Sequence, residues 1–181
     1  LPVPDGFSIT AEAYRHFIEK NVLDHKIKQI IRGTNINNLK QLEKAGAEIR
    51  ALINNAPMPP ELEEKIFDSY RKLGSRFVAV RSSATAEDLP DASFAGEQES
   101  YLNVSDRDLI VKVKECFASL WTDRAISYRE DKKFNHFKVY LSVAVQHQIF
   151  SKSSGVMFTL DPDSGHRNFI VITPVSVLAT T

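Results

Sequence analysis

One cysteine, Cys116, is all that the chain has, and a single thiol excludes both an internal disulfide and a cysteine-built metal cluster. No apolar run approaches the roughly 18 residues that a membrane-spanning helix needs, and the N-terminus lacks the charged-then-apolar pattern of a secretory signal. Charge of one sign is missing as well. Lys plus Arg and Asp plus Glu both number 23, so no long-range field draws the chain toward nucleic acid, and a polyanion must be held by local donors. A reducing cytoplasm, with neither a membrane nor a nucleic-acid partner, is the simplest setting. The opening Leu1-Pro2-Val3-Pro4-Asp5-Gly6 has no initiator methionine and is expected to lie inside a longer polypeptide.

What is present is enough for one domain with a real core: 181 residues, 43% hydrophobic and 25% charged. Helices are expected to dominate the first third. Thr10 can cap a helix through Ala13, Phe17 and Ile18, and Ile27, Ile30 and Ile31 form a second apolar cluster. Leu39, Leu42, Ala45, Ile49, Leu52 and Ile53 recur at helical spacing until Asn55 and Pro57 end the pattern. Pro59 and Pro60 then suit a first helical turn, the glutamates 61, 63 and 64 favour its positive end, and Leu62, Ile66, Tyr70 and Leu73 make one stripe up to Gly74.

Phe77 to Val80 reads as a short buried strand that opens into a long polar loop, Arg81 to Gly96. Ser105 to Asp108 resembles a capping box before a helix whose Leu109, Val113, Cys116, Phe117 and Leu120 share a face, which puts Cys116 in the core. Trp121 belongs with Phe117 and Leu120 by helical spacing, so packing is favoured over base stacking. Val139 to Ile149 alternates as a half-buried strand should, and Gly155 to Leu160 and Asn168 to Thr173 flank an Asp/Pro/Ser/Gly turn, so the last third predicts an antiparallel meander. The fold class expected is α+β, a helical first third followed by an antiparallel sheet with packed helices.

The loop is where chemistry concentrates. A strand delivers Arg81 into a hydroxyl-rich segment: guanidinium offers fixed donors that match phosphate oxygens, Ser82, Ser83 and Thr85 add hydroxyls, and small residues let backbone N–H groups approach. A surface loop with Arg81 in an ion pair to Glu87 or Asp88 is the competing reading. Glu87 and Asp88 could also hold magnesium, but ordering of their own loop is favoured, and no metal ligand is assigned. Neither Gly-x-x-x-x-Gly-Lys-Ser/Thr nor Gly-x-Gly-x-x-Gly occurs, so a nucleotide would need another architecture, for which an ATP-grasp arrangement is the natural candidate.

The run Arg81-Ser82-Ser83-Ala84-Thr85-Ala86-Glu87-Asp88-Leu89-Pro90, with Ala92-Ser93-Phe94-Ala95-Gly96, resembles the signature of the phosphoenolpyruvate synthase family. The likeness extends through Tyr101-Leu102-Asn103-Val104, Cys116 to Trp121, Asp123 to Arg129 and Ser154 to Asp161, and back to Val3-Pro4-Asp5-Gly6-Phe7. It covers residues 1–173, read as part of an ATP-binding domain, while 174–181 form a tail unlike the family. The resemblance implies an ATP-grasp-like domain that phosphorylates a histidine on a second domain, which carries the phosphoryl group to pyruvate on a third. Water takes the other phosphate. By position, Arg81 would contact the ATP phosphates, the Gly96 backbone would approach the nucleotide, Ser100 would offer a hydroxyl, and Gln146 would lie near the adenine. ATP is the implied ligand, with Mg2+ held by residues outside this chain.

Departures from the family pattern bear on activity. The family's Gly-Gly-Lys-like segment is expected upstream of residue 1, and its Trp-Gly-Leu-Gly-Glu-like segment is expected to follow the strand ending near Thr173, where this chain instead reads Pro174 to Thr181. Glu97 stands where the family has Gln, adding negative charge near the expected phosphates. None of the histidines, 16, 25, 136, 147 and 166, sits in a Gly-Gly-x-x-x-His-like context, so each is expected to be an ordinary core or surface residue. Phosphoryl transfer needs metal, cationic clamps and alignment together, so no turnover is expected from this chain alone. A standalone nucleotide-binding or regulatory module is one alternative, and the ATP domain of a related dikinase such as rifampicin phosphotransferase is another.

Overall fold

The computed structural model of the chain describes residues 2–84, 88–89, 92–93 and 99–175, which fall into two units, Leu1–Gln148 and Ile149–Thr181. The first unit runs β1 (Gly6–Ile9), α1 (Ala11–Lys20), α2 (Leu23–Arg32), α3 (Leu39–Asn55), α4 (Pro60–Leu73), β2 (Val78–Ala84), β3 (Asp88–Leu89), β4 (Ala92–Ser93), β5 (Ser100–Val104), α5 (Leu109–Ser119), α6 (Asp123–Asp131) and β6 (Leu141–His147). Four of its strands form an antiparallel sheet in the order β1-β6-β2-β5, and β3 pairs with β4. The α+β class read from the sequence is the class observed.

Local chemistry sets the helix ends. The Thr10 hydroxyl accepts from the Ala13 amide at 3.4 Å, and the Asn38 side chain accepts from the Gln41 amide at 3.2 Å, each satisfying an amide that the helix leaves without a partner. Pro60 opens α4, Glu61 and Glu63 lie in its first turn, and Gly74 closes it in the left-handed region at φ 67. At α5 the capping box does not form. Ser105 Oγ donates instead to the Asp108 carboxylate at 2.9 Å, and Asp108 occupies the cap position without its side chain accepting from a helix amide.

Helices α1 and α5 pack on one face of the sheet, α3 lies against α5, and α4 lies beside β1. Alternation along β2 and β6 sends Val78, Val80, Val143 and Val145 into that layer, where they meet Phe17, Phe117, Leu109 and Val113, all fully buried. Rings pack together there: Tyr14 lies edge-on to Phe117 at 5.2 Å and 71°, and Phe17 lies tilted at 47° to Phe117 at 5.4 Å. Cys116 lies in this core, and burial pushes its thiol up to about 12, so it stays protonated.

Two features differ from the sequence reading. Strand β2 runs on through Arg81, Ser82 and Ser83 to Ala84 rather than ending at Val80, because β6 provides a ladder partner along its whole length, from Val78↔His147 to Ala84↔Leu141. The three last strands do not form one meander. Strand β6 inserts between β1 and β2, while β7 (Ser154–Phe158) and β8 (Val171–Val175) make a hairpin of their own in the second unit. Its connection is closed by the Gly165 amide donating to the Asp161 carbonyl at 2.8 Å, with Gly165 at φ 71. Ser164 bonds the Asp161 carboxylate and holds that carboxyl below its ordinary range.

A polar cluster is sealed inside the first unit. Arg129 is fully buried; its Nη1 donates to the Leu120 carbonyl at 2.6 Å, its Nε donates to His136 Nδ1 at 3.1 Å, and its guanidinium lies 5.0 Å from the centre of the Trp121 ring. The Trp121 indole N–H donates to the Tyr14 hydroxyl at 3.1 Å, so Trp121 is a core residue, as its spacing predicts. A guanidinium only donates, so His136 Nδ1 accepts, and its ring proton sits on Nε2, 3.3 Å from a Glu130 carboxylate oxygen. Burial, and then the charge of Arg129, hold the His136 pKa below its ordinary value, against the opposing pull of Glu130. The unfolded chain therefore takes up a proton at this histidine before the folded chain does. Stability is fully present above about pH 6.5 and falls as the pH drops below it, at roughly 1.4 kcal/mol for each unit separating the two pKa values. Urea midpoints at pH 7.5 and 5.5 should differ, and His136→Gln, which keeps an acceptor for Arg129, should shrink the difference; an equal pH response in both proteins would clear His136 of this role.

Candidate functional site

The pleat turns a second set of side chains away from the helices. Arg81 pairs with Ser100 on β5 and with Ala144 on β6, and Ala144 pairs with Ser8 on β1. Ser8, Ala144, Arg81 and Ser100 thus form one row across all four strands on the sheet face opposite the helices. The next row holds Gly6, Gln146 and Ala79. Ser100 is the direct neighbour of Arg81, and Gln146 lies on its diagonal, roughly 7–8 Å away by strand geometry. Three of the four sequence-predicted residues, Arg81, Ser100 and Gln146, therefore meet on one surface. The fourth, Gly96, lies outside the described residues, as do Thr85, Glu87 and Glu97 and the side chain of Asp88.

Arg81 and Ser100 are exposed, Gln146 is half-buried, and small residues, Ala79 and Ala144, make the floor between them. Among the described residues no carboxylate pairs with Arg81. A β-bulge fixes the far edge: Val80 pairs with Tyr101 and Val78 with Val104, and the extra residue is taken up at Asn103, which sits at φ 55 and whose amide donates to Gln148 Oε1 at 3.2 Å. These rows form an open surface. Clefts of about 640 Å³ between α2 and α3 and about 430 Å³ beside β1, α1 and α4 include none of Arg81, Ser100 and Gln146.

One expectation is corrected. Ser82 was expected to offer its hydroxyl to phosphate, but it follows Val78 and Val80 on the inner register, is 2% exposed, and accepts from the Glu99 amide at 2.9 Å. Alternation could have revealed this, since a strand that buries Val78 and Val80 buries residue 82 too. Ser8 and Gly6 were missed for the converse reason: the Pro/Gly opening reads as a turn, although Phe7 and Ile9 already alternate with them.

A sheet face that offers an exposed guanidinium beside a hydroxyl and an amide, over small residues, has the donor set of a phosphate-binding surface. The chain belongs to the pyruvate phosphate dikinase AMP/ATP-binding domain family, whose pattern matches residues 1–178. It is 51% identical over 181 residues to the phosphoenolpyruvate synthase of Aquifex aeolicus, covering 95% of this chain and 21% of that protein. Its identity to the probable phosphoenolpyruvate synthase of Methanocaldococcus jannaschii is 48%, covering 95% and 15%, and to the phosphoenolpyruvate synthase of Helicobacter pylori 44%, covering 96% and 22%. The chain thus spans about a fifth of the length of these relatives.

Gly6 is the tight point of the site. A Cβ there would meet the Val145 carbonyl oxygen at 2.4 Å and Gln146 Cγ at 2.9 Å, so β1 would have to lift from β6. Gly6→Ala should cost about 1–3 kcal/mol, read as a lower urea midpoint, whereas an unchanged midpoint would mean that β1 has room to spare.

Proposed function

We propose that this chain is the ATP-binding part of a phosphoenolpyruvate synthase, an enzyme that uses ATP and water to convert pyruvate to phosphoenolpyruvate, AMP and phosphate. The relatives from Aquifex aeolicus and Helicobacter pylori are phosphoenolpyruvate synthases, and the family is an AMP/ATP-binding domain. In this reading Arg81 holds ATP phosphates, Ser100 adds a hydroxyl donor beside it, Gln146 lies toward the base, and the Gly96 backbone approaches the nucleotide. The phosphohistidine domain and the pyruvate site belong to other parts of the enzyme. The observation that carries the proposal is the meeting of Arg81, Ser100 and Gln146 on one solvent face, over a floor of alanines and with no described carboxylate competing for the arginine.

Magnesium, when bound, would neutralise phosphate charge. Among the described residues no group of His, Cys, Asp or Glu could hold a metal ion, and no helix is long and apolar enough to cross a membrane. In this reading the metal ligands come from outside this chain, and the isolated chain should bind nucleotide without turning it over.

Calorimetric titration of the chain with ATP, with and without Mg2+, tests the reading directly. Arg81→Ala should weaken binding by about 10- to 150-fold, the loss of a charge-assisted hydrogen bond worth roughly 1.5–3 kcal/mol. No heat from the unmodified chain, or equal affinity in the variant, would remove Arg81 from the nucleotide site.

A further inference from the structure

We infer that Ser82 is a positioning residue for the Arg81–Ser100 pair, an inference that rests on the nucleotide-site reading above. Ser82 stands on the inner face of β2, opposite Val143, where the alternation begun by Val78 and Val80 calls for an apolar side chain. A hydroxyl buried in such a place needs a partner, and its partner is the backbone at the start of β5.

In an ordinary antiparallel hydrogen-bonded pair, two residues exchange both of their N–H and C=O groups. Ser82 and Glu99 keep only half of that exchange. The Ser82 amide donates to the Glu99 carbonyl at 3.0 Å, whereas the Glu99 amide donates to Ser82 Oγ at 2.9 Å. The hydroxyl takes the place of a main-chain carbonyl and spans the gap where β5 departs from the regular ladder. Each partner is the chain neighbour of a site residue: Ser82 follows Arg81, and Glu99 precedes Ser100.

The hydroxyl itself faces the helices, so it cannot reach a ligand on the opposite face. Any influence it has on nucleotide binding must pass through the backbone at residue 99, and so through the placement of Ser100 beside Arg81. Removing it leaves only the Ser82 amide bond to the Glu99 carbonyl, where the hydroxyl now accepts from the Glu99 amide at 2.9 Å and also donates to its carbonyl at 3.5 Å, fixing the residue that precedes β5 against β2. It also leaves the Glu99 amide without its partner in a partly buried position.

The test is calorimetric titration with ATP of the unmodified chain and of Ser82→Ala, Ser82→Thr, Ser100→Ala and the Ser82→Ala/Ser100→Ala double variant, with urea unfolding of each. Ser82→Ala should weaken ATP binding by about 2- to 12-fold, the range of a single neutral hydrogen bond. Ser82→Thr, which keeps the hydroxyl, should restore most of the affinity, and Ser82→Cys serves in the same comparison if the alanine variant fails to fold. In the Ser100→Ala background the Ser82→Ala effect should shrink, because the group it positions has gone. A lowered urea midpoint with unchanged affinity would overturn the proposal, since the hydroxyl would then serve only the fold. Undiminished loss in the Ser100→Ala background would overturn it too. Absence of ATP binding by the unmodified chain is a different result: it would defeat the nucleotide-site reading and this inference with it.

Discussion

The period of two along Val78 to Ser83 divides the first unit into its two halves. Val78, Val80 and Ser82 turn toward α1 and α5, and with Val143 and Val145 of β6 they close the core around Phe17 and Phe117. Ala79, Arg81 and Ser83 turn the other way. A slip of one residue in the pairing with β6 would exchange the two sets, burying a guanidinium among valines and exposing the valines to water. The energetic cost of that exchange is what fixes the register, and the register is what brings Arg81 beside Ser100.

Around this division the molecule uses polar groups in two ways. On the open face they are left accessible: Arg81 and Ser100 are solvent-exposed, with small residues between them. On the closed side they are spent on one another. Arg129 bonds His136, which faces Glu130, Trp121 bonds Tyr14, and the Arg129 guanidinium over the Trp121 ring joins the two groups, while burial lowers the Arg129 pKa to about 10, still well above neutrality. The Lys114 ammonium likewise donates to the Asn54 and Ala56 carbonyls at 2.7 and 3.1 Å, closing the end of α3 with a group from α5. Gly46 brings α3 close to α6: a Cβ there would meet Asp123 Oδ1 at 2.4 Å, and Arg50 bridges Asp123 and the Trp121 carbonyl beside it. These contacts hold the helical layer as a stiff backing for the sheet.

The family match gives the open face its context. The chain belongs to an AMP/ATP-binding domain family and spans about a fifth of the length of the relatives it matches. Within the described sheet an exposed guanidinium and a hydroxyl stand side by side on that face, fixed donors of the kind that suit a phosphate.

Local order determined much of this from sequence alone. The Thr10 and Asn38 caps, the Pro60-to-Gly74 helix, the buried face of α5 and the alternation of β6 rest on interactions within a few residues, which is why composition and spacing sufficed to read them. The Arg81 motif was legible for another reason, as a long contiguous resemblance. Only the tertiary structure decided that β6 lies between β1 and β2, that Ser100 faces Arg81, that Ser8 and Gly6 join the same surface, and that Ser82 and Arg129 turn inward. Each of these depends on pairing or burial between residues far apart in the chain, and no local propensity specifies which distant strand will supply the partner.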